Sequence, residues 1–339
     1  MNQLTIAVTG SAGFIGGHLC RRLKADGHRV VGFDLHETPQ SDRFVGDIRD
    51  SDALESAING STDLVIHLAA VAGVTASVDS PERYVQHNID GTLNVLKVSH
   101  ANRVPRVVIA SSSSVYGNCS TPARESRQLR PLSPYAASKI AAEALAETYA
   151  ERRLLDVAVV RPFTVYGPGQ RRDMAFSKFI SAHLRGEPVA MWPFVRDFTY
   201  VDDLVVGLVG AATRDLRSRF RVFNLGSGRP TTARELIRTF ERITGQHLEV
   251  RWGSAKPGEP ERTHADISRA HAELGFVGGT ELGAGLAAQI AASLGSDLHL
   301  EQEIDLASGI MRPRSETLAP TGRRHDRGRL AAAAEVVAS

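Results

Sequence analysis

Residues 4–16 read LTIAVTGSAGFIG: an apolar, β-rich run that turns at Gly10 and enters the amphipathic stretch GGHLCRRLKADG at residues 16–27. A glycine at position 10 lets the chain turn tightly, one at 13 lets a pyrophosphate approach the backbone, and one at 16 lets helix and strand pack closely. The helix opening with Phe14 and Ile15 presents N–H groups and the positive end of its dipole to phosphate oxygens. The next apolar run, RVVGFD, ends at Asp34, 18 residues after Gly16. A carboxylate there can bind both ribose hydroxyls of NAD and would repel the 2′-phosphate of NADP, and no arginine follows immediately to reverse that choice. NAD is the expected cofactor.

Outward from this stretch the same rhythm continues. DLVIHLAA, RVVIASSS and DVAVVRPF are nearly continuous apolar runs, separated by helical patterns around ERYVQHNIDGTLNVLKVSHAN and YAASK. Strands buried on both faces read this way, and their alternation with helices predicts an α/β fold with a doubly wound parallel sheet. From about Tyr166 the pattern loosens, with GPGQ, GEPV, GSGRP and AKPGEPE between shorter elements. The expected organisation is a Rossmann-type nucleotide-binding domain over residues 1–165 and a smaller substrate-binding lobe over 166–298, with elements free to interleave. Residues 299–339 carry few large apolar side chains to offset the entropy of ordering, so an unstructured tail is expected there.

The net charge is +2. Six arginines against three acids after residue 308 give +3 there, leaving −1 for the body (+2 − 3). A near-neutral body gives no reason to expect nucleic acid or an anionic membrane as partner. There is no apolar stretch of membrane-spanning length and no signal-peptide pattern, so a cytoplasmic setting is expected. Cys20 and Cys119 make no disulfide framework or metal-ligand spacing, and no metal is expected.

Residues 133–139, SPYAASK, open an Ala-rich helix with Pro134 near its start. Positions i and i+4 share a helix face, which brings Tyr135 and Lys139 together. An ammonium beside a phenol favours the phenolate, so the pair can supply a base near neutral pH. As an isolated motif this reads more often as a surface pair.

The motifs GSAGFIG, GDIRD, HLAA, HNIDGT, SSSSVYG, SPYAASK, RPFTVYGPGQR and RDFTYVDD occur in that order. Over residues 4–290 the chain thereby resembles the extended short-chain dehydrogenase/reductases, specifically the NAD-dependent sugar-nucleotide epimerase/dehydratase family. The resemblance implies that Ser112, Tyr135 and Lys139 form the catalytic set. It implies further that Asp47 and Ile48 hold adenine, that Leu68, Ala69 and Ala70 line the cofactor and that Asn88 supports it. Pro162 borders the nicotinamide, Lys139 also binds its ribose, and His67 is structural. The family's 4,6-dehydratases place Asp-Glu directly after the first triad residue, whereas this chain has Ser113 and Ser114, which cannot carry protons at neutral pH as carboxylates do. The implied chemistry is oxidation and re-reduction at C4 of a nucleotide-linked sugar, a 4-epimerisation.

The segment PFTVYGPGQRRDMAF resembles that of UDP-glucuronate 4-epimerases, which implies that Ser113, Thr164 and Arg171 contact a sugar carboxylate. By the same resemblance Arg196 binds the diphosphate, with Lys256 and Glu259 near the nucleotide. The chain departs from the family pattern at Thr75, at Lys256 and in a shortened run before Arg196 without the usual Gly-Asp-Gly turn. Epimerases of UDP-glucose or UDP-N-acetylglucosamine, a 4-ketoreductase and a non-catalytic cofactor-binding regulator are the alternatives. The helices around 94–100 and 135–149 are expected to pair two copies into a homodimer.

Overall fold

The computed structural model describes residues 3–37, 42–172, 174–255, 257–298, 303–305 and 310–312. The chain begins β1 (Thr5–Thr9), α1 (Phe14–Ala25), β2 (Arg29–Asp34), β3 (Asp42–Val45), α2 (Ser51–Ala57) and β4 (Leu64–His67). It continues through α3 (Val74–Asp79), α4 (Pro81–Tyr84), a π-helical turn (Val85–Asp90), α5 (Gly91–Ala101) and β5 (Arg106–Ala110). A 3₁₀ turn (Ser113–Tyr116), α6 (Pro134–Glu151), β6 (Asp156–Pro162) and β7 (Thr164–Tyr166) follow. Next come α7 (Ala175–Arg185), β8 (Val189–Met191), β9 (Val195–Tyr200), α8 (Val201–Thr213), β10 (Phe220–Leu225) and β11 (Pro230–Thr232). The remaining elements are α9 (Ala233–Thr244), β12 (Val250–Trp252), α10 (Ser268–Leu274), α11 (Leu282–Leu298) and the short strands β13 (Glu303–Asp305) and β14 (Ile310–Arg312).

Two compact units interleave along the chain. The first comprises residues 1–165, 195–230 and 255–279; the second comprises 166–194, 231–254 and 280–339. The first unit is built on a seven-stranded sheet of order β10-β6-β5-β4-β1-β2-β3, parallel throughout. Apart from the edge strand β3, whose Phe44 and Val45 are exposed, the strands alternate their burial between two cores. Ile6, Val8, Leu64 and Ile66 pack on one face with α1, α8 and α10, while Ala7, Val31, Val65 and Val107 pack on the other with α2, α5 and α6. This two-sided burial explains why the strands read as unbroken apolar runs.

The chain winds outward in one direction from β1 to β3 and in the other from β4 onward, so the order reverses between β1 and β4. Ligands of open α/β sheets bind outside the carboxyl ends of the strands at such a reversal. The register aligns those ends: Thr9 lies opposite Phe33 and His67, His67 opposite Ile109, and Ala110 opposite Val160. Everything one residue beyond them therefore shares one edge.

The seventh strand comes from the stretch 166–298, whose elements the sequence left free to interleave: β10, the run FRVFNL, pairs with β6 from Phe220↔Val157 to Leu225↔Pro162. Val222, Phe223 and Leu225 are buried there, a gain the segment finds only beside β6.

The second unit holds α7, α9, α11 and a parallel pair formed by β8 and β12. Thr232 and Glu235 make a reciprocal capping box at the start of α9, and Gly245 closes it in the left-handed region at φ 66°. Gln289 of α11, fully buried, donates to Gln170 Oε1 at 2.9 Å and accepts from Gly167 N–H at 2.9 Å, which pins the GPGQ turn. Within the segment expected to lack structure, β13 and β14 pair antiparallel; the other residues of 299–339 lie outside those described.

Candidate active site

Gly10 sits at φ +74°, and a Cβ there would lie 2.7 Å from Ala69 N. At Gly16 a Cβ would stand 2.0 Å from Gly10 O. The turn and the helix thus close on each other at a distance no other residue permits. Gly13 is the N-cap of α1 without any side-chain cap, and the first helical turn, from Phe14, Ile15 and Gly16 on, carries no acidic residue. The cradle keeps the helix end available for an anion. Asp34 ends β2 beside it. Its Oδ2 accepts from Ala12 N–H at 3.0 Å and its Oδ1 from His36 N–H at 3.1 Å, which orients the carboxylate and leaves each oxygen a lone pair for a ribose hydroxyl.

On the next loop Asp47 is held by Arg49, whose guanidinium keeps the carboxyl below the usual range. Ile48 is buried against Gly91, where a Cβ would come within 2.4 Å of Ile48 Cδ1, and its carbonyl accepts from Asn94.

Leu68, Ala69 and Ala70 follow β4. They are steadied from beneath by His67, whose Nε2 meets Thr92 Oγ1 at 3.0 Å and whose Nδ1 meets Thr9 Oγ1 at 2.7 Å. Thr92 spends its own hydrogen on Asn88 O, so it accepts from His67, and Nε2 carries the proton. Burial pushes the imidazole down to about 3. His67 is a neutral brace, closed off from solvent.

The π-helical turn aims Asn88 inward, an irregularity that often accompanies function. Asn88 Oδ1 accepts from Val71 N–H at 2.8 Å, and its Nδ2 donates to Val71 O and to Ser138 Oγ, both at 3.0 Å. One amide so ties the loop after β4 to α6.

α6 starts on Ser133, whose Oγ accepts from Ala136 N–H, with Pro134 in the first turn. Tyr135 lies in that turn, half-buried, its ring edge-on to Tyr84 at 6.1 Å. Lys139, one turn later, is buried and donates to Ala110 O at 2.8 Å, and burial lowers its pKa to about 8. Ser112 lies beyond Ala110 at the same strand end, buried, its Oγ accepting from Ser114 N–H and donating to Ser114 Oγ. Ser113 is buried beside it, and Pro162 and Thr164 stand where β6 gives way to β7. The sheet edge therefore gathers Ser112, Ser113, Lys139, Pro162 and the Gly10 turn.

Arg196, on β9, is buried, with burial lowering its pKa, and faces Glu259 at 3.5 Å. Its neighbour Asp197 is fully buried and accepts from Ser227 N–H at 2.7 Å, Ser227 Oγ at 2.8 Å, Gly228 N–H at 3.1 Å and Ala265 N–H at 2.9 Å. That carboxylate fixes the strand from which Arg196 projects. Arg171 belongs to the second unit, exposed on the turn before α7. Lys256 lies outside the described residues. Sequence reading missed Ser111, Glu143 and Arg161, which form a buried cluster next to Ser112 and Lys139; the signal was an arginine inside the apolar run DVAVVRPF.

The family model for the NAD dependent epimerase/dehydratase family matches residues 6–226. A UDP-glucuronate 4-epimerase of Thermodesulfobacterium geofontis is 38% identical over 286 residues, covering 78% of this chain and 88% of its own. The structure of MoeE5 in complex with UDP-glucuronic acid and NAD superposes with a TM-score of 0.81 at 39% identity, over 86% of this chain and 99% of that one. The UDP-glucuronic acid 4-epimerase of Bacillus cereus, in complex with UDP-glucuronic acid and NAD, gives 0.79 at 33%, over 85% and 98%. With its reversed parallel sheet, glycine cradle and strand-end acid, the chain belongs to the NAD-dependent epimerase/dehydratase family.

Proposed function

We propose that this protein interconverts UDP-glucuronate and UDP-galacturonate by 4-epimerisation, with Ser112, Tyr135 and Lys139 as its reaction centre. The cradle of Gly10, Gly13 and Gly16, which a Cβ would fill, and the carboxylate of Asp34 fit the pyrophosphate and adenosine ribose of NAD. NAD supplies reversible hydride exchange at the sugar's C4. Tyr135 takes the C4 hydroxyl proton, Ser112 hydrogen-bonds that oxygen, and Lys139 holds the charge that favours the tyrosinate. The 4-keto sugar then turns about its phosphate linkage, and Tyr135 returns the proton as C4 is reduced on its other face. The redox state is restored in each cycle.

The observation that carries this reading is the all-alcohol segment Ser112–Ser114, continuous with the strand end on which Lys139 is anchored. Abstraction of the C5 proton and loss of water call for carboxylates there; oxidation at C4 does not. Ser113, Thr164 and Arg171 hold the sugar carboxylate, and Arg196 the diphosphate, with Lys256 and Glu259 at the nucleotide. The protein acts as a cytoplasmic homodimer. On α5 and α6, Leu93, Ile140 and Leu145 are only partly buried, which suits pairing across a two-fold axis.

A second reading, a 4-epimerase of UDP-glucose, draws on the complex of MoeE5 with UDP-glucose and NAD. Parallel kinetics on the two sugars separate them. Arg171→Ala should lower UDP-glucuronate turnover, through loss of a charge partner for the sugar carboxylate, far more than UDP-glucose turnover. Tyr135→Phe should abolish both. Equal losses on both sugars for Arg171→Ala would assign that arginine to the diphosphate or the fold.

A further inference from the structure

α6 buries small residues along almost its whole inner face: Ala136, Ser138, Ala142, Ala146 and Ala150. Its two buried charged residues, Lys139 and Glu143, stand one turn apart on that face. Burying an ion pair contributes little net stability, so the position of this second charge needs another account.

Glu143 touches two things. Ser111 Oγ–H donates to its carboxylate, and Arg161 of β6 grips it from the other side, with Nε at 2.9 Å from Oε1 and Nη2 at 2.5 Å from Oε2. Arg161 is held in turn. Its Nη1 donates to Tyr116 Oη at 2.8 Å and to Glu125 O at 3.2 Å, and Tyr116 Oη donates to Asn224 Oδ1 at 2.7 Å. Asn224 closes the chain by donating to Ala123 O at 2.8 Å. Ser111, Glu143, Arg161, Tyr116 and Asn224 are all buried.

Ser111 lies between Ala110, whose carbonyl receives Lys139, and Ser112. Two contacts one turn apart on α6 therefore grip two successive residues at the end of β5: Lys139 on Ala110, and Glu143 on Ser111. We propose that Glu143 is a positioning residue of the reaction centre, fastening the strand end that carries Ser112 to the helix that carries Tyr135 and Lys139. Arg161, sitting directly before Pro162, holds that carboxylate in place through two hydrogen bonds. The inference rests on Ser112, Tyr135 and Lys139 being the reaction centre.

Glu143 also sets the charge around Lys139. Beside that lysine lie Tyr135 and Glu143 one turn to either side, and neutral His67 from β4, with Arg161 behind Glu143. Replacing Glu143 by glutamine removes the anion and leaves the guanidinium uncompensated, and both changes make a charged Lys139 costlier.

The test is UDP-glucuronate epimerisation, followed by product chromatography across pH, in Glu143→Gln, Ser111→Ala and Tyr135→Phe, with bound NAD assayed after denaturation. Glu143→Gln should lower kcat about tenfold to a hundredfold, the scale of a small misplacement of catalytic groups, with KM little changed. Its alkaline limb should move to lower pH. Ser111→Ala, which loses the fastening and keeps the charge pair, should lower kcat several-fold with the pH profile in place. Wild-type kcat and pH profile in Glu143→Gln overturn the proposal, as does a fall in kcat matched by loss of bound NAD and thermal stability. If Glu143→Gln does not fold, wild-type kcat in Ser111→Ala overturns it alone. Full turnover in Tyr135→Phe would instead refute the underlying reading of the triad.

Discussion

Burial pushes His67 down to about 3 and Lys139 down to about 8, and the two have opposite consequences. An unfolded histidine titrates near 6.5, so between that value and about 3 the unfolded chain holds the extra proton and stability falls as pH falls. At pH 5 the deficit from this one residue is about 2 kcal/mol. Glutamine in its place keeps an N–H for Thr92 and an oxygen for Thr9. His67→Gln should therefore flatten the fall in unfolding free energy from pH 6.5 to 5 by most of that amount while turnover persists. An unchanged slope in denaturant titrations would place the acid lability elsewhere, and lost turnover would give His67 a chemical role. Lys139 governs the other side: as pH rises through about 8 its charge is lost, and turnover should decline with it. Such values depend on packing, and the letters HLAA and YAASK do not contain them. That Glu143 belongs beside Lys139 was equally hidden, since a glutamate in EALAETYAERR reads as solvated until Arg161 is seen behind it.

At the scale of elements, β1, α1 and β2 were legible because their signal is local. The glycine spacing, the apolar runs and Asp34 lie within residues 4–34 and need no distant partner to be interpreted. The closeness of Gly16 to Gly10 makes a sharp forecast. Gly16→Ala should cost about 1–3 kcal/mol as an overpacked contact, and the purified variant should carry no dinucleotide. A variant that retained stoichiometric NAD would mean the cradle opens without loss. β10 was illegible for the converse reason. FRVFNL is a modest apolar run whose place depends on β6, which ends at Pro162, well before it starts. The π-helical turn was missed too, because HNIDGT reads as ordinary helix and only the hydrogen-bond pattern reveals the extra residue that presents Asn88.

For the molecule as a whole, a redox-neutral cycle needs no cofactor exchange. The purified protein should retain NAD and turn over with none added; an empty preparation that required added NADPH would favour a reductase. Light scattering at micromolar concentration should give twice the 36.6 kDa chain mass, and a monomer mass would refute the proposed pairing of α5 and α6. Among the described residues no helix is long and apolar enough to cross a membrane.

The interleaving of the two units also has a bearing on how the protein is made. On the ribosome β1 to β6 emerge first, but the sheet's last strand and the segment 255–279, which brings buried Ala270, Leu274 and Phe276 onto the first core, come much later. At the usual pace of translation, 5–20 residues per second, the exposed flank of β6 waits on the order of ten seconds for them. Throughout that interval the nascent chain presents an open, apolar strand edge, the form most prone to pair with a neighbour. Chaperone demand during synthesis should therefore concentrate on this late-closing edge, well after the nucleotide cradle has been completed.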